Sequence, residues 1–442
     1  MTLSTSPVAA CPVAPGQLAL PAGTPAADGL AQLLPALGEL YRDLHAHPEL
    51  SMHETRTAAI IAATLRAQGW KVTENVGTTG VVGVLSNGEG PTVLLRADTD
   101  GLPLAEDTGL PYASTDTAIG PDGTEVPLMH GCGHDHHVTA LLGATALYAA
   151  DRTGWTGTLI AVFQPGEEIA AGARAMIDDG FAERFPRPDV CLGQHVSPLP
   201  TGTVALRPGT TMAAADSFRI RLFGAGGHGS QPELTIDPIV LGAHVVTRLQ
   251  TVVSREIAAQ DAAVVTVGSF QAGHKENIIP DSAELKVNVR TFDPKVRERV
   301  LAAIERVVRG EAQAAGAPRE PEFEPLNAFP LTVNDDSATE RARDALRSVY
   351  GEQGVQHMAR PLSGSEDFGV FGTTLDCPSV FWMWGSFDPK HYEDEDPSQT
   401  RPGIPGNHSP RFAPQAEQVI EYGVRGLRAV AAAFHEPGAR PI

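Results

Sequence analysis

The nine residues MHGCGHDHH, 129 to 137, hold one cysteine and four histidines. A hydrolytic metal site needs ligands of this borderline-soft kind on rigid elements, an open position for water and a base to deprotonate it. Cys132 and His134 stand two apart, a spacing that in extended chain turns both side chains to one side. Three more fragments supply what this cluster lacks. FQPGEE sets Glu167 and Glu168 directly after an apolar run. Adjacent carboxylates repel unless a cation neutralises them, so a metal can take one while the other handles a proton. GQHVSP places His195 at the end of another apolar run, and GNHSPRF places His408 after a glycine-containing loop. Cys, His, Glu, His and His are five candidate ligands, more than one tetrahedral zinc uses and suited to two divalent cations.

Other residues near these fragments read differently. Asp98 and Asp100, in RADTDG, follow a strand-like run and are better placed to orient a ligand histidine than to bind metal themselves. His45 and His47, in LHAHPEL, fall at a helix end far along the chain from the candidate ligands, so structural or rim roles are expected. GSEDF (364–368) is expected to line the pocket, and Trp382 and Trp384 to belong to the core.

The elements that position these residues can be read from periodicity. LAQLLPALGELYRDLHAHPEL and HETRTAAIIAATLRAQGW have helical spacing, with Gly69 closing the second before a strand. TVLLRAD, GTLIAVFQP, DVCLGQHV and PSVFWMWG are nearly continuous apolar runs, as expected of strands covered on both faces. The apolar helix VTALLGATALYAAD lies between the first two, so an α/β class with a largely parallel sheet flanked by helices follows. Residues 208–325 read as β-α-β-β-α, an inserted α+β domain with an antiparallel sheet. Catalytic-domain segments at 30–207 and 326–436 flank it, with the main sheet resuming near Asn327 and a flexible tail over 1–29. The stretch 386–406 reads as a long loop before His408.

Composition narrows the function. The 442 residues are 42% hydrophobic and 19% charged, enough for two ordinary cores. A net charge of −20 disfavours nucleic acid and anionic membranes as partners. Four scattered cysteines are expected to be reduced thiols, no run approaches the roughly 18 apolar residues of a membrane span, and the N-terminus lacks signal-peptide character. A cytoplasmic enzyme is the expectation.

Eight fragments in order, from LLRADTDGLPLAEDTGLPYAS through MHGCGHDHHVTALLGA, FQPGEEIAAGARAMIDDG, GQHVSPLPTG, GAGGHGSQPELTIDPI, NIIPDSAELKVNVRTFD and SGSEDF to NHSPRF, resemble the motifs of the metal-dependent amidohydrolases. This branch of the di-metal peptidase clan includes hippurate hydrolases, N-acyl-amino-acid amidohydrolases and indole-acetyl-amino-acid hydrolases. The resemblance implies Cys132, His134, Glu168, His195 and His408 as ligands of two divalent ions, with Cys132 in bridging reach. The ions would be manganese or zinc, with cobalt or nickel as alternatives. Glu167 would be the general base and then the acid that protonates the leaving amine. His228, in GGHGS, would stabilise the oxyanion, and Asn277 and Arg290 would hold the substrate carboxylate. The implied partner is a small N-acyl or N-aroyl amino acid, and the inserted domain would serve as lid and homodimer interface. Gly166 and His136 depart from the usual pattern without touching a proposed ligand. Two other readings stay open: a di-metal dipeptidase or aminopeptidase, and a silent ligand-binding homologue, against which the base Glu167 argues.

Overall fold

The computed structural model describes residues 11–120, 122–392 and 403–435. Two compact units emerge. The first takes the described residues up to Thr211, Val333–Arg360 and those from Asp367 onward, and the second takes Met212–Thr332 with Pro361–Glu366.

In the first unit, α1 (Ala26–Ala46) and α2 (Thr55–Ala67) precede β1 (Lys71–Val76), β2 (Gly80–Asn87) and β3 (Thr92–Asp98). Then come α3 (His134–Ala150), β4 (Gly157–Gln164), β5 (Val190–Pro200) and β6 (Val204–Leu206). The second unit holds β7 (Ala214–Phe223), α4 (Pro238–Thr251), β8 (Ala263–Ala272), β9 (Ser282–Thr291), α5 (Pro294–Ala314) and β10 (Glu322–Phe329). The chain returns to the first unit with α6 (Asp336–Gly354), β11 (Val355–His357), β12 (Ser379–Phe387) and α7 (Ala416–His435).

The eight-stranded sheet runs β1-β2-β4-β3-β5-β12-β6-β11, with β4, β3, β5 and β12 mutually parallel at its centre. These four are the apolar runs expected from the sequence, and their side chains are buried on both faces. Register brings the chemistry to one end. Arg96 lies opposite Val162 and Gly193, and Asp98 opposite Gln164, so His195, two residues past Gly193, stands level with Asp98. Beyond its polar first turn, helix α3 is largely apolar on all sides, and it is almost wholly buried. A Cβ at Gly143 would come within 2.6 Å of Val424 and 3.0 Å of Leu37, so the glycine lets α1 and α7 close on α3. Truncating Leu141 or Leu142, both fully buried, to alanine should cost about 2–5 kcal/mol. Trp382 and Trp384 are core residues, as expected.

The second unit is a four-stranded antiparallel sheet, β8-β9-β7-β10, with a core made by α4 and α5. Both helices start on an Asp-Pro pair. Asp237 accepts from the amides of Ile239 and Val240, Asp293 from those of Lys295 and Val296, and the proline fills a position whose amide needs no partner.

Three expectations need correction. The main sheet does not resume near Asn327, because Asn327 pairs with Ser217 and β10 is the fourth strand of the antiparallel sheet. Residues 11–25 are no free tail: Val13 and Leu18 are buried in the core and Gln68 donates to the Leu18 carbonyl at 2.9 Å. The prolines there interrupt helix without preventing apolar burial. The loop expected over 386–406 begins later, since β12 runs to Phe387 and buried Tyr392 donates its hydroxyl to the Pro198 carbonyl at 2.8 Å. Residues 393–402 of that stretch, and 1–10 of the tail, lie outside the described residues.

Candidate metal centre

Helix α3 starts at His134 itself, not after the histidine cluster. The Cys-Gly-His segment is therefore a turn rather than extended chain, and Gly133 makes it. Its φ of +89° is in the left-handed region, and a Cβ there would sit 2.3 Å from Val196. The turn, not strand alternation, is what directs Cys132 and His134 to the same place.

His134 Nδ1 lies 2.8 Å from the Asp100 carbonyl and 3.2 Å from Asp100 Oδ1. A proton on Nδ1 is shared with these acceptors, and the opposite nitrogen, Nε2, points across the site. There it stands 3.7 Å from Asp98 Oδ2 and 3.9 Å from Glu168 Oε1. Burial draws the His134 pKa down, but Asp98 and then Asp100 outweigh it and raise the value to about 10. Asp100 also accepts the Glu168 amide through Oδ2 at 3.0 Å, fixing two candidate ligands with one carboxylate.

The Cys132 thiol is at the centre of the set. His195 Nε2 is 3.4 Å from its sulfur and His408 Nε2 is 3.2 Å away. His195 donates Nδ1–H to the Val196 carbonyl at 2.6 Å, which leaves Nε2 as the nitrogen facing the sulfur. His408 has a φ of +67°, uncommon for a residue with a Cβ. Its amide donates to the Gly131 carbonyl at 2.8 Å, and Asn407 reaches the Cys132 carbonyl at 3.0 Å, which together hold this loop over the centre. His408 Nε2 is also 3.3 Å from Glu168 Oε1. Burial, then Glu168 and Glu167, pushes the thiol pKa well above its ordinary value. All five expected ligands thus converge, with Glu167, 5% exposed, beside them.

Whether a cation suits this set can be judged from two atoms. His134 Nε2 and Glu168 Oε1 are buried with no hydrogen-bond partner among the described residues. A buried imidazole nitrogen without a hydrogen-bond partner, facing a carboxylate oxygen that His408 also approaches and standing beside a buried thiol, fits a divalent cation with nitrogen, oxygen and sulfur ligands. Asp98, His134, His137 and His195 form a second cluster of possible metal-binding groups. His137 is nonetheless a poor ligand, since Nδ1 bonds Asp98 Oδ1 and Nε2 accepts the Val196 amide at 3.0 Å. It braces β3 against β5 instead.

His137 is one of the functional residues that sequence reasoning passed over. Its only signal was its place in the histidine cluster. The ion-paired Arg96, fully buried with Asp98 and Asp367, is another, and it ties Asp367 of GSEDF to the end of β3. His45 proves buried and structural, bonded to Asp135 at 2.7 Å and Glu106 at 3.1 Å. His47 pairs with Asp116 at 2.9 Å and is partly exposed.

The remaining candidates belong to the second unit. His228 is exposed, in a short pairing of Gly227–His228 with Ile278–Ile279. The Ser230 amide donates to its Nδ1 at 3.1 Å, so its proton resides on Nε2. The Asn277 carbonyl accepts the Gly229 amide at 2.9 Å. Arg290 on β9 donates to the Ser363 carbonyl at 3.1 Å and Ser365 Oγ at 2.8 Å, and no carboxylate among the described residues pairs with it.

Residues 94–430 match the family described as peptidase family M20/M25/M40. The hippurate hydrolase of Campylobacter jejuni is 39% identical over 357 residues, covering 80% of this chain and 90% of its own length. An N-acetylcysteine deacetylase of Bacillus subtilis is 38% identical over 346 residues, or 77% and 86% of the two chains. A solved dinuclear metal-binding M20-family peptidase, also from Bacillus subtilis, superposes with a TM-score of 0.69 at 30% identity, covering 90% of this chain and 97% of that one.

Proposed function

The chain belongs to peptidase family M20/M25/M40, and from that membership and the geometry of its centre we propose that it hydrolyses the amide bond of N-acyl or N-aroyl amino acids, releasing a carboxylic acid and the free amino acid. The enzyme class, a metal-dependent hydrolase acting on amide bonds, follows from the family. The convergence of Cys132, His134, Glu168, His195 and His408 around one sulfur carries the rest. These five would hold two divalent ions, manganese or zinc, with cobalt or nickel as alternatives.

When bound, such ions polarise the scissile carbonyl and lower the pKa of bound water. The chain's own residues handle the protons and the orientation. Glu167 takes a proton from the attacking water on a carboxylate oxygen and passes it to the nitrogen of the leaving amine. Asp100 keeps His134 Nε2 turned to the centre through its bonds at Nδ1. His228 presents an Nε2–H donor of the kind a developing oxyanion requires. Arg290, a half-buried cation without a carboxylate partner among the described residues, suits the substrate carboxylate, with Asn277 as a second polar group.

A homodimer through the second unit is supported by edge strand β8, whose Val264 and Phe270 are exposed. No helix among the described residues is long and apolar enough to cross a membrane, and the four cysteines are unpaired, which supports a cytoplasmic location. The test is a substrate panel. Release of amino acid from N-benzoyl or N-acetyl amino acids, with dipeptides left intact, is expected. Cleavage of dipeptides alone would turn the reading to a dipeptidase.

A further inference from the structure

Three short segments meet at one carboxylate outside the candidate ligand set. Glu54 is fully buried before α2. Its Oε1 accepts two amides, from Met52 and from Gly166, each at 2.8 Å, and its Oε2 accepts the Thr79 hydroxyl. Gly166 directly precedes Glu167. On the other side, the Glu168 amide is held by Asp100 Oδ2 at 3.0 Å, and Ser51 donates to that same oxygen at 2.6 Å. The peptide carrying Glu167 is thus pinned at both flanking amides by buried carboxylates.

The backbone around this point is unusual. Met52, Thr78 and Ala170 have φ of 66°, 96° and 57°, and Gly166 has φ of 56°. Non-glycine residues in that region cost about 1–3 kcal/mol each and persist only where their surroundings over-determine them. Here the turns at 51–54 and 78–79 both lead into Glu54, and Ala170 donates its amide to the Glu167 carbonyl at 2.8 Å. A Cβ on Gly166 would lie 2.4 Å from Met52 Sδ, so the loop rests directly on the turn that Glu54 organises.

We propose that Glu54 is a positioning residue: by holding the Gly166 amide it sets the direction of the Glu167 carboxylate, with Asp100 as the matching hold at Glu168. This rests on the role proposed for Glu167. Misplacing a reacting group by about 1 Å costs up to roughly 100-fold in rate. The test compares wild-type, Glu54→Ala and Glu54→Gln full-length, metal-loaded protein on whichever amide substrate of the panel wild type cleaves. A wild type that cleaves only dipeptides overturns the substrate reading and leaves this comparison intact. Glu54→Ala should lower kcat about 10- to 100-fold with KM and metal content unchanged, and Glu54→Gln should restore most of it, since its side-chain oxygen still accepts the Gly166 amide. A kcat loss that follows metal loss, a glutamine as impaired as the alanine, or no loss in either variant overturns the proposal. If Glu54→Ala does not fold, Thr79→Val, which removes one donor to the same carboxylate, replaces it. Lower kcat at constant KM supports the proposal and unchanged kcat overturns it.

A separate pair of side chains carries a second inference. Cys191, fully buried at the start of β5, and Cys377, partly exposed before β12, have sulfurs 3.4 Å apart. The Cys191 amide donates to the Pro378 carbonyl at 2.8 Å, which fixes the two segments side by side. We infer that this is a peroxide-responsive dithiol. The Cys377 thiolate attacks a hydroperoxide, an S–O bond forms and the O–O bond breaks, giving a sulfenic acid and an alkoxide or hydroxide that leaves as alcohol or water after taking a proton from solvent. The Cys191 thiol then loses its proton and displaces the sulfenic hydroxyl as water, leaving a disulfide. The hydrogen bond from Cys191, and then nearby Arg187, lowers the Cys377 pKa against its burial, as the attacking role requires. Treating the holoenzyme with hydrogen peroxide and mapping its peptides should reveal a Cys191–Cys377 bridge that dithiothreitol reverses. In Cys191→Ser, dimedone should trap a sulfenic acid on Cys377. Peroxide treatment that leaves both thiols free, or oxidises Cys377 without bridging, overturns the inference.

Discussion

His134 Nε2 and Glu168 Oε1 face each other 3.9 Å apart, both buried, with neither hydrogen-bonded among the described residues. Two polar atoms left in this way are costly unless something positive lies between them. Without a metal, the negative field of the surrounding carboxylates favours the protonated imidazole, which carries that positive charge. Asp98 and Asp100 raise the His134 pKa to about 10 against the opposing effect of burial.

Metal uptake must therefore expel protons. His134 enters the reaction charged, and burial with Glu168 and Glu167 keeps the Cys132 thiol protonated. Affinity should fall about tenfold per pH unit for each proton released as pH is lowered below 8, with proton release visible to an indicator dye when ions are added to chelated protein. Binding that is independent of pH would remove both residues from the ligand set.

Glu167→Gln keeps the size of the side chain and removes the base. Turnover should fall by about 10²–10⁴-fold, with metal content and substrate KM close to wild type. Steady-state kinetics beside elemental analysis would check this, and turnover near the wild-type rate would exclude the proton-transfer role.

His134 and His137 lie in one helical turn, yet their substitutions should differ in kind. His134→Ala should lose metal. His137→Ala should retain it and lose about 2–3 kcal/mol of stability, because the Val196 amide loses its acceptor and Asp98 Oδ1 loses the imidazole, while Asp98 Oδ2 keeps Arg96. Metal stoichiometry and urea unfolding of both variants separate the two roles, and metal loss on removing His137 would make it a ligand after all.

His45 gives the fold a pH dependence of its own. Burial lowers its pKa, but the bonds to Asp135 and Glu106 prevail and raise it from 6.5 to about 9. A raised histidine pKa stabilises the folded state fully below 6.5, and that stabilisation is lost as pH rises towards 9, here a change of about 3 kcal/mol. The stability gap between wild type and His45→Gln should narrow across that window. A gap that stays constant from pH 6 to 9 would show that His45 is buried uncharged.

The four central strands and the five converging residues were legible because each is a local signal. Continuous apolar runs mark doubly covered strands, and ligand residue types at the ends of two of them, in the histidine cluster and in NHSPRF mark the site. What was hidden depends on contacts far apart in sequence. Nothing in HPELSMHE indicates that Glu54 will meet Gly166, 112 positions away. Strand β10 went unread because only its partner β7 makes it the fourth strand of the antiparallel sheet. The Gly133 turn was read as extended chain, since its left-handed φ is dictated by the nearness of Val196.

The most direct test of the metalloamidohydrolase account joins metal content with turnover of N-acyl amino acids, before chelation, after it, and with manganese or zinc restored. The account predicts about two ions per chain, loss of amino-acid release on chelation and recovery on restoring metal. Undiminished turnover in fully chelated protein, or no amide hydrolysis in the metal-loaded protein, would contradict it.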